Sequence, residues 1–171
     1  ELIPEYFMIE QPDTQDYDEL LRIWELAVRS THHFLTENDI LFYKPLVRDE
    51  YFQAVELYML RGSTGRIAAF LGLSEDNIEM LFVHPALQGL GLGRCLTERA
   101  VHEQGRGYGK CLIDFAVHEK RIYKVDVNEQ NEKAFHFYQN RGFEVVGRDA
   151  VDGMGKPFPI LHMQLSDKKS V

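Results

Sequence analysis

Apolar residues along the first third of the chain recur with helical spacing. Between Gln15 and Arg29 they are Leu20, Leu21, Ile23, Trp24, Ala27 and Val28, one face of a helix that Asp13 or Thr14 caps. Ser30 to Leu35 reads as a turn with embedded apolar residues. Thr36 caps a second helix that Pro45, lacking an N–H, breaks or kinks. A further helical stretch covers Val47 to Gln53. The pattern then changes to short strand-like runs: Ala54 to Leu60, Arg66 to Ser74 and Asn77 to Val83, after an earlier one at Tyr6 to Gln11. Gly62-Ser63-Thr64-Gly65 and Glu75-Asp76 separate the middle runs into an antiparallel meander. Ile122 to Asn128 returns to strand, and Asn131 caps a helix to about Asn140 that Arg141-Gly142 closes. Phe143 to Arg148 and Phe158 to Leu165 are two more strands, joined through Asp152-Gly153-Met154-Gly155. Strands outnumber helices in a mixed order, the α+β class, and no linker divides residues 1–171, so one domain is expected.

Between Val83 and Ile122 lies a tandem repeat. Gln88 to Glu103 reads QGLGLGRCLTERAVHE, and Gln104 to Glu119 reads QGRGYGKCLIDFAVHE. Ten of the sixteen positions are identical without a gap, and Arg94/Lys110 and Glu98/Asp114 keep their charge. Two units are too few for a solenoid, so a loop and its helix have been copied inside one domain.

Composition narrows the setting. No apolar run reaches the length of a membrane span, and Glu1 to Phe7 lack the basic start of a signal peptide. Cys95 and Cys111 show neither metal spacing nor a disulfide scaffold, so a reduced cytoplasmic setting is expected. The histidines show no metal spacing either, since His102 and His118 are repeat equivalents, and no metal is expected. A net charge of -8 argues against nucleic acid as partner and is compatible with a cationic substrate. Monomer and homodimer both remain open.

The glycines at alternate positions in Gln88-Gly89-Leu90-Gly91-Leu92-Gly93 follow a strand and open a helix. They leave backbone N–H groups uncovered for a phosphate, and Arg94 adds a charged donor. The spacing is neither that of a dinucleotide loop nor that of a Walker loop. Leu81 to Arg94 resembles the acetyl-CoA signature of the GNAT superfamily, Q/R-x-x-G-x-G/A after a strand. Asn128 to Tyr138, followed by Arg141-Gly142-Phe143, resembles that superfamily's second signature. Ala27 to Leu35 and Gly147 to Pro159 resemble the small bacterial acetyltransferases of the YjaB type.

The resemblance implies a GNAT fold, a mixed, mostly antiparallel sheet flanked by helices, and an N-acetyltransferase with acetyl-CoA as cosubstrate. It implies that the strand ending at Val83 splays from the one at Ile122 to Asn128, with pantetheine between them. Leu81, Phe82 and Val83 would bond the pantetheine, and the Val83 amide would polarise the thioester carbonyl. Gln88, Gly89, Leu90, Gly91, Leu92, Gly93 and Arg94 would hold the pyrophosphate. Asn131 would touch the cofactor, unless it is a plain N-cap. Tyr138 would protonate the departing thiolate, its alternative being a core tyrosine. Asp126 matches an acid used as general base in some relatives, a surface or salt-bridged Asp being the alternative; Asn77 stands where others carry a base Glu and cannot act as one. His32, His33 and Phe34 lie where the fold lines its acceptor pocket, and a histidine there can bind or deprotonate an amine. The expected reaction is direct transfer to an amine of a protein or small molecule. The rival is a CoA-binding protein whose duplication has spoiled catalysis.

Only one copy can serve as the crossover. In the preferred arrangement the first loop binds CoA, because Val83 to Leu87 stay in register with it, and the second copy is an excursion. In the other, the second loop closes on the ligand. Ile113, Phe115 and Ala116 favour that one by making the second helix more apolar. In a third, the extra helix packs on another subunit.

Overall fold

The computed structural model describes residues 9–87 and 107–166. Helix α1 (Tyr17–Thr31) is entered through a 3-10 turn over Thr14–Asp16. Asp13 caps that turn: its carboxylate accepts from the Gln15 N–H at 2.8 Å, and Asp16 accepts from the Asp13 N–H at 3.0 Å. Thr36 and Asp39 form the same reciprocal box at the start of α2 (Glu37–Leu46). Pro45 does not end this helix. The chain continues through a π turn at Val47–Tyr51 and a last turn at Phe52–Ala54. A widened turn takes up the crowding that the proline ring imposes, so the helical path runs on.

Strands β1 (Glu56–Arg61), β2 (Ile67–Leu73) and β3 (Ile78–Val83) form the expected antiparallel meander. Then come α3 (Tyr108–Asp114), β4 (Lys124–Asn128), α4 (Glu132–Asn140), β5 (Phe143–Asp149) and β6 (Ile160–Leu165). Sheet order is β1-β2-β3-β4-β6-β5. Every neighbouring pair is antiparallel except β3 and β4, which run parallel and pair at one position, Ile78 with Val125. Beyond it they part. Ahead of β1, Glu10 of the expected first strand exchanges backbone hydrogen bonds with Met59. Gly142 closes α4 at φ 93°, a left-handed conformation that glycine adopts without steric cost.

The sheet buries both faces. Leu20, Ile23, Trp24 and Val28 of α1 pack with Ile40, Phe52 and Phe70 on one side. Leu112 and Ile113 of α3 and Tyr138 of α4 pack with Leu71, Ile78, Phe143 and Met163 on the other. β2 lies between, buried along its whole length.

The first copy, 88–103, lies outside the described residues. The second copy supplies α3 and the π turn Phe115–Glu119, and its helix packs on β2 and β3. The second copy is therefore not an excursion from the domain. Tyr108, Cys111, Leu112, Ile113 and Ala116 are buried, and Phe115 meets Tyr58 edge-on at 4.8 Å. The first copy has Leu92, Thr97 and Arg99 where the second has Tyr108, Ile113 and Phe115. At the place of α3 these residues would put a hydroxyl and a guanidinium against the core, which costs free energy unless both find partners.

Candidate active site

A cavity of about 340 Å3 opens where β3 and β4 part. Leu81, Phe82 and Val83 form one wall; Asn131, Ala134, Phe137 and Tyr138 of α4 form the opposite one. Gly107, Tyr108, Gly109 and Lys110, the start of α3, close the end between them. Gly107 has extended backbone, and among the described residues nothing lies within 4 Å of the position of an added Cβ. At Gly109 an added Cβ would stand 3.6 Å from Phe137 and 3.7 Å from Val83, so the glycine keeps the floor of the cavity low. Two cations, Lys110 and Lys133, lie on the wall, and Lys110 is paired with Asp114 at 2.9 Å. A glycine-opened helix start flanked by lysines suits an anionic phosphate group.

Asn131 does two things from one side chain. Its Oδ1 caps α4 by accepting from the Ala134 N–H at 3.2 Å, which leaves the amide NH2 as a donor on the cavity wall. Tyr138 is 5% exposed, and its ring is held edge-on by Phe137 and Phe143 at 5.2 and 5.6 Å. Burial pushes its hydroxyl well above the usual tyrosine range, so it keeps its proton and acts as a donor.

A second cavity, about 190 Å3, lies on the α1 side of β3. Trp24, Phe34, Tyr43, Tyr51, Phe82 and Phe158 give it an aromatic lining, with Glu79 and Asp152 as its carboxylates. The loop between β5 and β6 is fastened over it. Tyr43 donates to Asp152, Lys156 donates to Asp39 at 2.9 Å, and Phe158 lies 5.5 Å from Phe34. His32 and Phe82 belong to the walls of both cavities, so the two meet there.

Of the residues expected at the site, Leu81, Phe82, Val83, Asn131, Tyr138 and His32 therefore converge, and Phe34 lines the second cavity. His33 is exposed and lines neither. Gln88 to Arg94 lie outside the described residues. Asp126 lines neither cavity. It bonds His162 Nδ1 at 2.6 Å, while Asp149 takes Nε2 at 2.8 Å. These two carboxylates, Asp126 first, hold the His162 pKa above its ordinary value. Folding therefore gains from protonated His162 at pH values below the unfolded value of about 6.5, and the gain is lost as pH rises through the folded value. Asp149→Asn is expected to lower Tm more at about pH 5 than at about pH 9. Equal losses in thermal melts at the two pH values would refute this linkage.

Sequence reasoning did not find Tyr43, Tyr51, Glu79, Asp152 and Phe158 as cavity residues. Tyr43 and Asp152 are 109 positions apart, and no local signal joins them.

A parallel pair that parts beside a cavity, with a glycine-opened helix and a buried tyrosine on its walls, agrees with the sequence comparison. A family profile described as "Acetyltransferase (GNAT) domain" matches residues 53–145. The chain belongs to the GNAT acetyltransferase family. It is 32% identical over 149 residues to the peptidyl-lysine N-acetyltransferase YjaB of Escherichia coli, a match covering 87% of this chain and 90% of that one. It is 30% identical to the same enzyme of Salmonella typhimurium, over 87% of this chain and 91% of that one. The solution structure of apo YjaB from Escherichia coli superposes with a TM-score of 0.67 at 31% identity, covering 91% of this chain and 95% of that one. GNAT enzymes use acetyl-CoA, and this member is an N-acetyltransferase that passes the acetyl group to an amine.

Proposed function

We propose that the larger cavity takes the pantetheine and pyrophosphate of acetyl-CoA and the smaller one takes a lysine side chain of a protein. The observation that carries this is the junction of the two cavities at His32 and Phe82, with Tyr138 on the cofactor side. On this reading Gly107 to Lys110 cradle the pyrophosphate in place of Gln88 to Arg94. The backbone of Leu81 to Val83 runs beside the pantetheine, and the Asn131 amide donates to it.

Bound acetyl-CoA supplies the thioester. The aromatic lining of the smaller cavity receives the aliphatic stem of the acceptor, which has no polar groups to satisfy until its end. The amine nitrogen forms a bond to the carbonyl carbon, the C–S bond breaks, and the leaving sulfur takes a proton from Tyr138. The proton that nitrogen loses restores Tyr138, so one proton passes from nitrogen to sulfur overall. A lysine acceptor is supported by the aromatic slot and by the relatives named for peptidyl-lysine acetylation.

The test uses two peptides and a polyamine, with thiol release and mass spectrometry as readouts. One peptide has a single lysine and a blocked N-terminus; the other has a free N-terminus and no lysine. Transfer to the lysine peptide is expected. Transfer confined to the free N-terminus or to the polyamine would overturn the lysine assignment.

A further inference from the structure

One buried titratable side chain on the shared wall has no part in the chemistry above. His32 ends α1 and is 8% exposed. Along α1, Ala27 and Thr31 line the larger cavity, while Trp24 and Val28 line the smaller one; His32 lines both.

The hydrogen bonds around its ring fix where its proton sits. The single hydroxyl proton of Thr31 goes to the Ala27 carbonyl at 2.8 Å. Thr31 Oγ1 also lies 2.7 Å from His32 Nδ1, and with its own proton spent it can only accept there. The ring therefore carries hydrogen on Nδ1 and a lone pair on Nε2. Among the described residues no group bonds Nε2. Burial, with the neighbouring His33, pushes the His32 pKa down to about 4, so the ring is neutral at physiological pH.

We propose that His32 is a substrate-positioning residue that receives the N–H of the acceptor amine on Nε2 at the junction of the two cavities. This rests on assigning the smaller cavity to the acceptor. A primary amine has two N–H bonds and one lone pair. Holding one N–H on the partition turns the lone pair toward the thioester side. An alkylammonium, at about 10.4, does not give up its proton to so weak a base, so the amine docks already neutral. His32 takes no proton and forms no covalent bond. A neutral ring suits this task, because an imidazolium would have no lone pair to offer.

Two readouts test it. Nitrogen-15 NMR of the wild-type protein near neutral pH is expected to show a protonated Nδ1 and an unprotonated Nε2 for His32. Adding butylamine with CoA should move the Nε2 resonance. A ring protonated on Nε2, or an Nε2 signal unmoved by saturating amine, would overturn the proposal. In steady-state kinetics with the lysine peptide, His32→Leu is expected to lower kcat/KM for the acceptor roughly tenfold to a hundredfold, the range of one lost hydrogen bond, with KM for acetyl-CoA unchanged. His32→Gln, which keeps an acceptor oxygen, should recover part of that loss. If both variants fall equally and acetyl-CoA affinity falls with them, the role of His32 is structural and the proposal fails. A wild-type enzyme that transfers, with a His32→Leu variant that transfers as well, removes His32 and leaves the acceptor cavity standing. A wild-type enzyme that acetylates no amine overturns the parent reading as well.

Discussion

Gly107→Val is expected to fold as the wild type does and to lose CoA binding. The backbone at Gly107 is extended, which valine adopts readily, and an added Cβ there meets nothing within 4 Å among the described residues. The unliganded fold therefore has no reason to object. The ligand does, because the branched side chain would stand where a phosphate must approach the N–H groups opening α3. Losing two charge-assisted hydrogen bonds at about 1.5–3 kcal/mol each weakens affinity by roughly two to four powers of ten. Calorimetric titration with CoA measures this, and an unchanged thermal melt confirms the fold. Valine at Gly91 in the first copy is the matched control and should leave CoA affinity near the wild-type value. If Gly91→Val abolishes binding and Gly107→Val does not, the pyrophosphate belongs to the first copy.

Tyr138→Phe should lower kcat by about 10²–10³-fold, within the usual range for a positioned proton donor, with CoA affinity little changed. The ring is kept, so its contacts with Phe137 and Phe143 survive and the core stays filled. Its raised pKa looks at first like a handicap, since a weaker acid is a poorer proton donor. The same dry surroundings destabilise the departing thiolate, which is also an anion. The two pKa values rise together, and the driving force for transfer is largely preserved. Stopped-flow or steady-state thiol release reads the effect. A Tyr138→Phe enzyme with wild-type kcat would reduce this tyrosine to a packing residue.

The legible parts of the fold were those written in local pattern. The α1 stripe, the Thr36 cap, the antiparallel meander and the Asn131-to-Gly142 helix stand within a residue or two of expectation. Of the two outcomes Pro45 allowed, a break or a kink, the helix takes the one that lets it run on, because Ile40, Val47 and Phe52 hold it in the core on both sides of the ring. Choosing between the repeat copies pits two kinds of signal against each other. Register with Val83 favoured the first copy, whereas packing favours the second. Ile113 and Phe115 against Thr97 and Arg99 carried that signal, and burial outweighs continuity of a short motif. Of the smaller cavity's aromatic lining only Phe34 was legible, because Trp24, Tyr43 and Phe158 join it only through tertiary folding. Asp126 shares a strand face with Asn128, which made it a reasonable base, but its partner His162 comes from β6.

Two near-identical copies also give the chain two ways to thread one fold. Each threading closes β3 to β4 with a loop and helix of the same length, offset by sixteen residues. The identical positions contribute equally to both, so the choice between threadings falls to the six that differ. Most of that bias resides in Ile113 and Phe115, where the second copy is apolar and the first is not. The same two side chains that fill the core are thus what makes the native topology unique. Making the copies alike at these positions would leave a sequence whose lowest state is a pair of competing registers.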